Sequence, residues 1–271
     1  MLAGKKIAIL GVGTLGTALI SGLLKSSMVK SEQIIGTVHN QDTVKSTQEK
    51  LSVRILTDNV AAAKEADIVI LTVKPQNMSV VLKTIAPAID GNKLVISAAA
   101  SVPVAYIEET LASTAPVVRA MPNTCVLVSA GMTGLAGGKY ASQAHKQMAE
   151  SIFKSVGEVV FLEEKLFDAL TALSASGPAY LYVVIESLAE AGVKLGMRRD
   201  VATLLVAQTM LGTAKMILET GSHPALLKDS VTTPAGCTID GLMELEEGKL
   251  RVTLIKAVVK AAMRAQELLQ I

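Results

Sequence analysis

The stretch KIAILGVGTLGTAL, residues 6–19, decides the fold of this 271-residue chain. A short apolar run leads into glycines at positions 11, 13 and 16, and a helical pattern of apolar residues follows. Glycines at this spacing permit a tight turn, a close approach of the backbone to a ligand, and close packing of helix on strand. Because the helix N-terminus offers unpaired amides, the turn favours a phosphate group. The sequence therefore predicts a pyrophosphate site; the alternative is a turn that serves packing alone. The predicted contacts are Gly11, Val12, Gly13, Thr14, Leu15 and Gly16.

Outward from this turn, the first 163 residues alternate strand-like and helix-like patterns. Strands are predicted at 6–10, 33–38, 66–73, 93–99, 116–121, 131–138 and 157–164. Helices are predicted at 14–26, 43–51, 59–65, 77–86, 103–113 and 142–155. A strand–helix–strand series builds a parallel sheet with helices on both faces. We therefore expect residues 1–163 to form an α/β, Rossmann-like, doubly wound dinucleotide-binding domain.

The remainder of the chain, residues 164–271, carries helical periodicity without strand patterns. Helices are predicted at 166–195, 199–220, 238–247 and 249–270, and Gly177–Pro178 predicts a kink or restart in the first of them. Helices as apolar as 201–214 exceed what one small domain can cover. We expect residues 164–271 to form an all-α domain and, because of this apolar surface, we expect an oligomer.

Composition excludes several classes of function. The net charge is +2 and Trp is absent, which argues against nucleic acid and anionic membrane surfaces as partners. Two cysteines and three histidines, without metal-ligand spacing, predict neither a metal site nor a disulfide framework. The uncharged stretch after Lys6 contains too many glycines for a signal peptide or a membrane span. We expect a cytoplasmic protein.

The end of the second predicted strand bears on the choice of dinucleotide. A site for NAD usually places an acidic residue there to bind the ribose 2′-hydroxyl. This strand ends in His39 and Asn40, and the first acid is Asp42. NADPH is therefore favoured, with NADH as the alternative, and His39 and Asn40 are either phosphate donors or solvated loop residues. Lys74, after the next buried strand, either approaches the nicotinamide ribose or is solvated.

A second informative stretch is DSVTTPAGCTIDGL, residues 229–242, which leads into a helical pattern. Gly236, Cys237 and Thr238 are predicted to form the first helical turn, whose amides would suit a small carboxylate. The alternative is that Ser230, Thr232 or Thr233 simply caps the helix.

Five segments in this order and spacing resemble the pyrroline-5-carboxylate reductase family. They are the glycine turn, VKP (73–75), RAMPNT (119–124), LSASGPAY (173–180) and LKDSVTTPAGCTIDGL (227–242). The resemblance runs nearly end to end. It implies reduction of the cyclic imine 1-pyrroline-5-carboxylate to L-proline by NAD(P)H, the last step of proline biosynthesis. It also implies homodimers built through the helical domain, which can assemble into decamers.

The resemblance also assigns roles to individual residues. The implied cofactor contacts beyond the glycine turn are Asn59, Thr72, Val73, Lys74, Pro75, Ser97, Ala98, Ala99 and Ala100. The implied substrate contacts are Ser176, Gly177, Ser230, Gly236, Cys237 and Thr238, with Thr238 as the catalytic residue hydrogen-bonded to the ring nitrogen. The sequence departs from the family pattern at Ala100, Ala175 and Ala235, where glycine is usual, and at Cys125, where proline is usual.

The lack of an acid or base near Thr238 agrees with this chemistry. Reduction of C=N needs a hydride at carbon and a proton at a basic nitrogen, which water or a protonated iminium can supply. Three alternatives remain open: a hydroxyacid dehydrogenase using Lys194 or Lys215, a reductase of another cyclic imine carboxylate, and a non-catalytic NADP-binding protein.

Overall fold

The computed structural model describes residues 2–267. The chain divides into two compact units. The first comprises residues up to Ser176 together with those from Ala261 onward, and the second comprises Gly177–Lys260.

The first unit is built on an eight-stranded sheet. Its strands are β1 (Ile7–Leu10), β2 (Ile34–Thr37), β3 (Arg54–Leu56), β4 (Ile68–Leu71), β5 (Leu94–Ser97), β6 (Val117–Pro122), β7 (Gly131–Gly137) and β8 (Gly157–Phe161). Its helices are α1 (Thr14–Lys25), α2 (Val44–Leu51), α3 (Asn59–Glu65), α4 (Met78–Ile85), α5 (Val104–Leu111), α6 (Gln143–Lys154) and α7 (Phe167–Leu170). The strand order β3-β2-β1-β4-β5-β6-β7-β8 confirms a Rossmann-like, doubly wound architecture.

The core of this unit lies on both faces of the sheet. Side chains of β1 alternate between two apolar clusters: Ile7 and Ile9 join one, and Ala8 and Leu10 join the other. All four are fully buried. Burial on both faces explains why the strands read as continuous apolar runs rather than as alternating patterns.

Two features of the sheet differ from the sequence prediction. β7 runs antiparallel to β6, while β8 is parallel to β7, so the sheet is not parallel throughout. The connection through Thr124–Val128 is a short 3-10 segment, whereas a parallel connection needs a crossover of a dozen or more residues. The edge strand β3 was not predicted, because its three residues include Arg54, which pairs with Glu65 outside the sheet (2.9 Å).

The second unit and the helix that leaves it contain α8 (Gly177–Lys194), α9 (Arg199–Thr220), α10 (Pro224–Ser230), α11 (Cys237–Glu247) and α12 (Leu250–Glu267). The predicted interruption near Gly177 is a π-helical turn at Thr171–Ala175, directly before α8. The short helix α10 was not predicted. The predicted final helix extended to residue 270, and positions 268–270 lie outside the described residues.

Apolar side chains of the second unit are widely exposed. Leu204, Leu211 and Leu218 on α9 are each more than 60% exposed, as is Met243 on α11. In residues 2–267, α9 is also the one helix long and apolar enough to cross a membrane by length and composition, with a mean hydropathy of 1.5. An exposed apolar surface of this kind is typical of a site that contacts another protein subunit or a membrane.

Candidate active site

The glycine turn joins β1 to α1 and has the geometry of an anion site. Gly11 has φ +92°, and a Cβ there would lie 2.7 Å from Val73 Cγ1. A Cβ on Gly16 would lie 3.2 Å from Thr72 Oγ1, whereas one on Gly13 would meet open space. No side chain caps α1 at Gly13. The first amides of α1 are therefore available to a phosphate, with the helix dipole in support.

Two threonines hold this turn in place. The Gly11 amide donates to Thr37 Oγ1 (3.1 Å), and the Val12 amide donates to the Thr37 carbonyl (2.7 Å). The Thr37 hydroxyl in turn donates to Asn59 Oδ1 (2.7 Å). Thr72 donates to the Gly11 carbonyl (2.8 Å), so its hydroxyl supports the turn. Sequence reasoning missed Thr37, although a hydroxyl at the end of a wholly apolar buried strand was a usable signal.

A first cleft of about 380 Å³ opens beside the turn, over β2 and α4. Its lining includes His39, Asn59 and Val73 among the predicted cofactor contacts, with Thr57 and Asn77 as further polar groups. Among the described residues, no Asp or Glu lines it. The absence of a carboxylate here suits a ribose that carries a 2′-phosphate.

Asn40 and Lys74 lie outside the lining of this cleft. The Asn40 side chain accepts from the Asp42 amide (2.9 Å) and so caps the following 3-10 turn. Lys74 is exposed and precedes the 3-10 segment Pro75–Asn77. Their roles as cofactor contacts stay predictions.

A second cleft of about 250 Å³ lies at the ends of β5 and β6. It is lined by Thr14, Leu15, Ala98, Ala100, Met121, Pro122, Asn123, Thr124, Val126 and Leu127. At the end of β5 and in the residues after it, Ala98 and Ala100 line the cleft, while Ser97 and Ala99 are buried. Ser97 Oγ accepts from the Ala99 amide (3.4 Å) and so supports the loop. Asn123 and Thr124 belong to the RAMPNT segment but were not predicted as site residues.

Left-handed backbone conformations, which favour glycine, occur at or beside two of the positions at which the sequence departs from the family pattern. After β5 the left-handed residue is Ser101 (φ +60°), not Ala100, so a methyl group at position 100 introduces no backbone strain. Before α11 the left-handed residue is Ala235 (φ +53°), a position at which glycine is usual in the family pattern.

The segment after β8 is anchored to the sheet by an ion pair whose arginine is buried. Arg119 on β6 binds Glu164 (2.9 Å), whose carboxylate also accepts from the Val104 amide (2.8 Å). The Arg119 guanidinium lies 4.7 Å from the centre of the Phe167 ring. These contacts position the chain that leads to the π-helical turn, where the Ser176 amide donates to the Thr171 carbonyl (2.9 Å). Gly177 then begins α8.

The loop between α10 and α11 carries the predicted carboxylate site in the second unit. Gly236 is the N-cap of α11, and no side chain caps this helix. The hydroxyls of Ser230 and Thr232 donate instead to carbonyls of Leu227 (2.7 Å) and Lys228 (2.8 Å) at the end of α10. The capping alternative is therefore wrong for these two residues. The amides of Cys237 and Thr238 remain available to an anion, and Ser230 stays a predicted substrate contact.

Two observations bear on the acid–base lysines and on metal-ligand clusters. Lys215, one of the two candidate acid–base lysines, pairs with Glu219 (3.4 Å) on the exposed surface of α9. In the described part of the chain, no three His, Cys, Asp or Glu side chains cluster as metal ligands.

A glycine turn at a helix N-terminus, flanked by two clefts at the carboxyl ends of the strands, defines the class of dinucleotide-dependent oxidoreductases. Family models agree with this class. A model described as "NADP oxidoreductase coenzyme F420-dependent" matches residues 6–101, and one described as "Pyrroline-5-carboxylate reductase dimerisation" matches residues 164–268. The chain belongs to the pyrroline-5-carboxylate reductase family, as its relatives show.

Those relatives match over nearly the whole chain. The pyrroline-5-carboxylate reductase of Methanosarcina acetivorans is 45% identical over 98% of this chain and 99% of its own length. The solved structure of the enzyme from Coxiella burnetii is 37% identical, with a TM-score of 0.92 over 97% of this chain and 98% of that one. The Plasmodium falciparum enzyme, solved with NADP bound, is 31% identical, with a TM-score of 0.87 over 98% of both chains.

Proposed function

We propose that this chain reduces the cyclic imine 1-pyrroline-5-carboxylate to L-proline with NADPH, the last step of proline biosynthesis. The observation that carries the proposal is the uncapped N-terminus of α11 at Gly236–Thr238, in a chain whose relatives of this name match end to end. Oxidoreduction with a nicotinamide cofactor is the chemistry of this family.

The residues of the first unit would hold the cofactor. The α1 amides behind Gly13 bind the pyrophosphate, the first cleft takes the adenosine half with its 2′-phosphate, and the second cleft takes the nicotinamide. When bound, NADPH supplies the hydride. The chain itself orients the reacting groups, which converts a bimolecular encounter into a positioned transfer.

The residues of the α11 loop would hold the substrate. The amides of Cys237 and Thr238 bind the imine carboxylate through charge-assisted hydrogen bonds. The Thr238 hydroxyl orients the ring nitrogen and polarises the C=N bond, while solvent or the protonated iminium provides the proton. Thr238 is thus the proposed catalytic residue, and Ser176 and Gly177 at the start of α8 are proposed to border the same substrate.

The decisive experiment is the loss of absorbance at 340 nm when the protein is mixed with 1-pyrroline-5-carboxylate and either NADPH or NADH. We expect oxidation of both, faster with NADPH because the first cleft lacks a carboxylate. The six-membered imine homologue serves as the matched substrate control. Preferential turnover of the larger ring, or NADPH binding without turnover of either ring, would refute the substrate assignment.

We also propose that the chain forms a homodimer through a helical domain at residues 164–271, of which 268–271 lie outside the described residues. The exposed leucines of α9 and the dimerisation model that matches this region support an interface between copies rather than a membrane. Further assembly to a decamer and a cytoplasmic location are proposed with it. Sedimentation analysis without detergent should give at least a dimer, and a monomeric, detergent-requiring protein would contradict this assignment.

A further inference from the structure

The second cleft combines apolar walls with very few polar groups. Ala98, Ala100 and Met121 provide the apolar surface, and Asn123 provides a side-chain amide at its edge. A site of this kind suits a planar ring that carries one polar substituent.

The orientation of the Asn123 side chain is determined by two backbone donors. Its Oδ1 accepts from the amides of Cys125 (3.2 Å) and Met132 (3.2 Å). The amide oxygen is therefore engaged with the backbone, and Nδ2 is directed away from it. Nδ2 donates one hydrogen to Ser174 Oγ (3.5 Å between nitrogen and oxygen). A side-chain amide has two such hydrogens, and Ser174 is the one acceptor of Nδ2 among the described residues, so the second hydrogen is left for a ligand.

We propose that Asn123 binds the carboxamide oxygen of the nicotinamide and so determines how the ring is turned. This inference rests on the reductase function proposed above. Asn123 lines the cleft, and its Oδ1 already accepts from two backbone amides, so the side-chain group left for a ligand is an N–H donor, which selects a carbonyl oxygen. The cleft lies over β5 and β6, across the glycine turn from the first cleft, where a doubly wound sheet receives the second half of a dinucleotide. Anchoring the carboxamide presents one face of the ring to the substrate.

The test is Asn123→Asp, measured as the affinity for NADPH and for 2′-phospho-ADP-ribose, which lacks the nicotinamide. The carboxylate keeps both acceptor contacts to Cys125 and Met132 but replaces the donor with an oxygen that repels the carboxamide oxygen. We expect NADPH to bind about tenfold more weakly or worse, and the nicotinamide-free ligand to change by less than about twofold. Asn123→Ser, which can still accept from the Cys125 amide, provides a second variant if the first does not fold.

Two controls separate this role from a structural one. Ser174→Ala removes the other partner of Asn123 and should leave NADPH affinity within about twofold, and Asn92→Asp adds the same charge on an exposed turn outside both clefts. Equal weakening of both ligands, no weakening of either, or an equal loss in Ser174→Ala would overturn the inference. Failure of the unsubstituted protein to bind NADPH would instead refute the proposed function.

Discussion

Gly236→Ala tests whether the backbone amides at the start of α11 bind the substrate. Gly236 has φ −84°, which alanine adopts without strain. An added Cβ would, however, overlap Thr233 Oγ1 and lie 3.2 Å from the Thr233 carbonyl oxygen. Relief of the overlap requires a shift of about 1 Å, given the usual separation of non-bonded atoms. Such a shift breaks hydrogen-bond geometry at the neighbouring amides.

The expected loss follows from the energy of one such bond. A hydrogen bond to a charged group contributes about 1.5–3 kcal/mol, so kcat/KM for the imine should fall roughly 10- to 150-fold. Steady-state kinetics at saturating NADPH measure this value. The matched control is Gly241→Ala in the same helix, where a Cβ meets nothing within 4 Å and activity should be retained.

A double substitution decides whether the overlap is the cause. Thr233→Ala removes the hydroxyl that the new methyl group would meet, so Gly236→Ala combined with Thr233→Ala should recover most of the lost kcat/KM. The reasoning is refuted if Gly236→Ala has unchanged kinetics, or if the double variant is no better than Gly236→Ala.

Three further predictions concern single residues. Thr238→Ala should lower kcat/KM by roughly 5- to 150-fold, because it removes a hydrogen bond that contributes about 1–3 kcal/mol. Thr238→Ser keeps the hydroxyl and should retain most of the activity. Unchanged kinetics in the alanine variant would exclude the proposed role. Thr37→Val leaves the Gly11 amide without its acceptor and should lower the free energy of unfolding by about 1–3 kcal/mol, measured by urea denaturation with Thr37→Ser as the control. The Lys6 amide and then the Lys5 ammonium hold the pKa of Asp67 below its ordinary value of 3.8. The ionised Asp67 therefore stabilises the fold fully at pH values above 3.8, and this contribution is lost as the pH falls through the lower pKa of the folded state. Asp67→Asn should make the free energy of unfolding less dependent on pH in the acid range. An unchanged pH dependence would contradict this.

Much of the first unit was predictable because its signals are local. The apolar runs of β1, β4 and β5 and the glycine spacing at 11–16 depend only on neighbouring residues. The same holds for α11, since Gly236 and the polar residues before it mark a helix start within a few positions. Weak local signals failed: β3 has three residues, and α10 has seven.

The side-chain contacts of the site were less predictable because they join distant parts of the chain. The Thr37 hydroxyl meets Asn59 and the Gly11 amide, 22 and 26 residues away. Asn123 meets Met132 because β7 returns antiparallel beside β6. The sequence patterns of β6 and β7 do not show which residues of the two strands lie opposite each other.

By itself, the sequence determined the βαβ series, the glycine turn and the hydroxyl-rich segment before α11. Their physical causes are backbone sterics and burial periods that act over a few residues. Only the tertiary structure decided that the Ser230 and Thr232 hydroxyls leave α11 uncapped, that Thr37 supports the glycine turn, and that two backbone amides bind the Asn123 side-chain oxygen. Hydrogen-bond partners of this kind depend on strand order and register, which arise when the whole sheet packs.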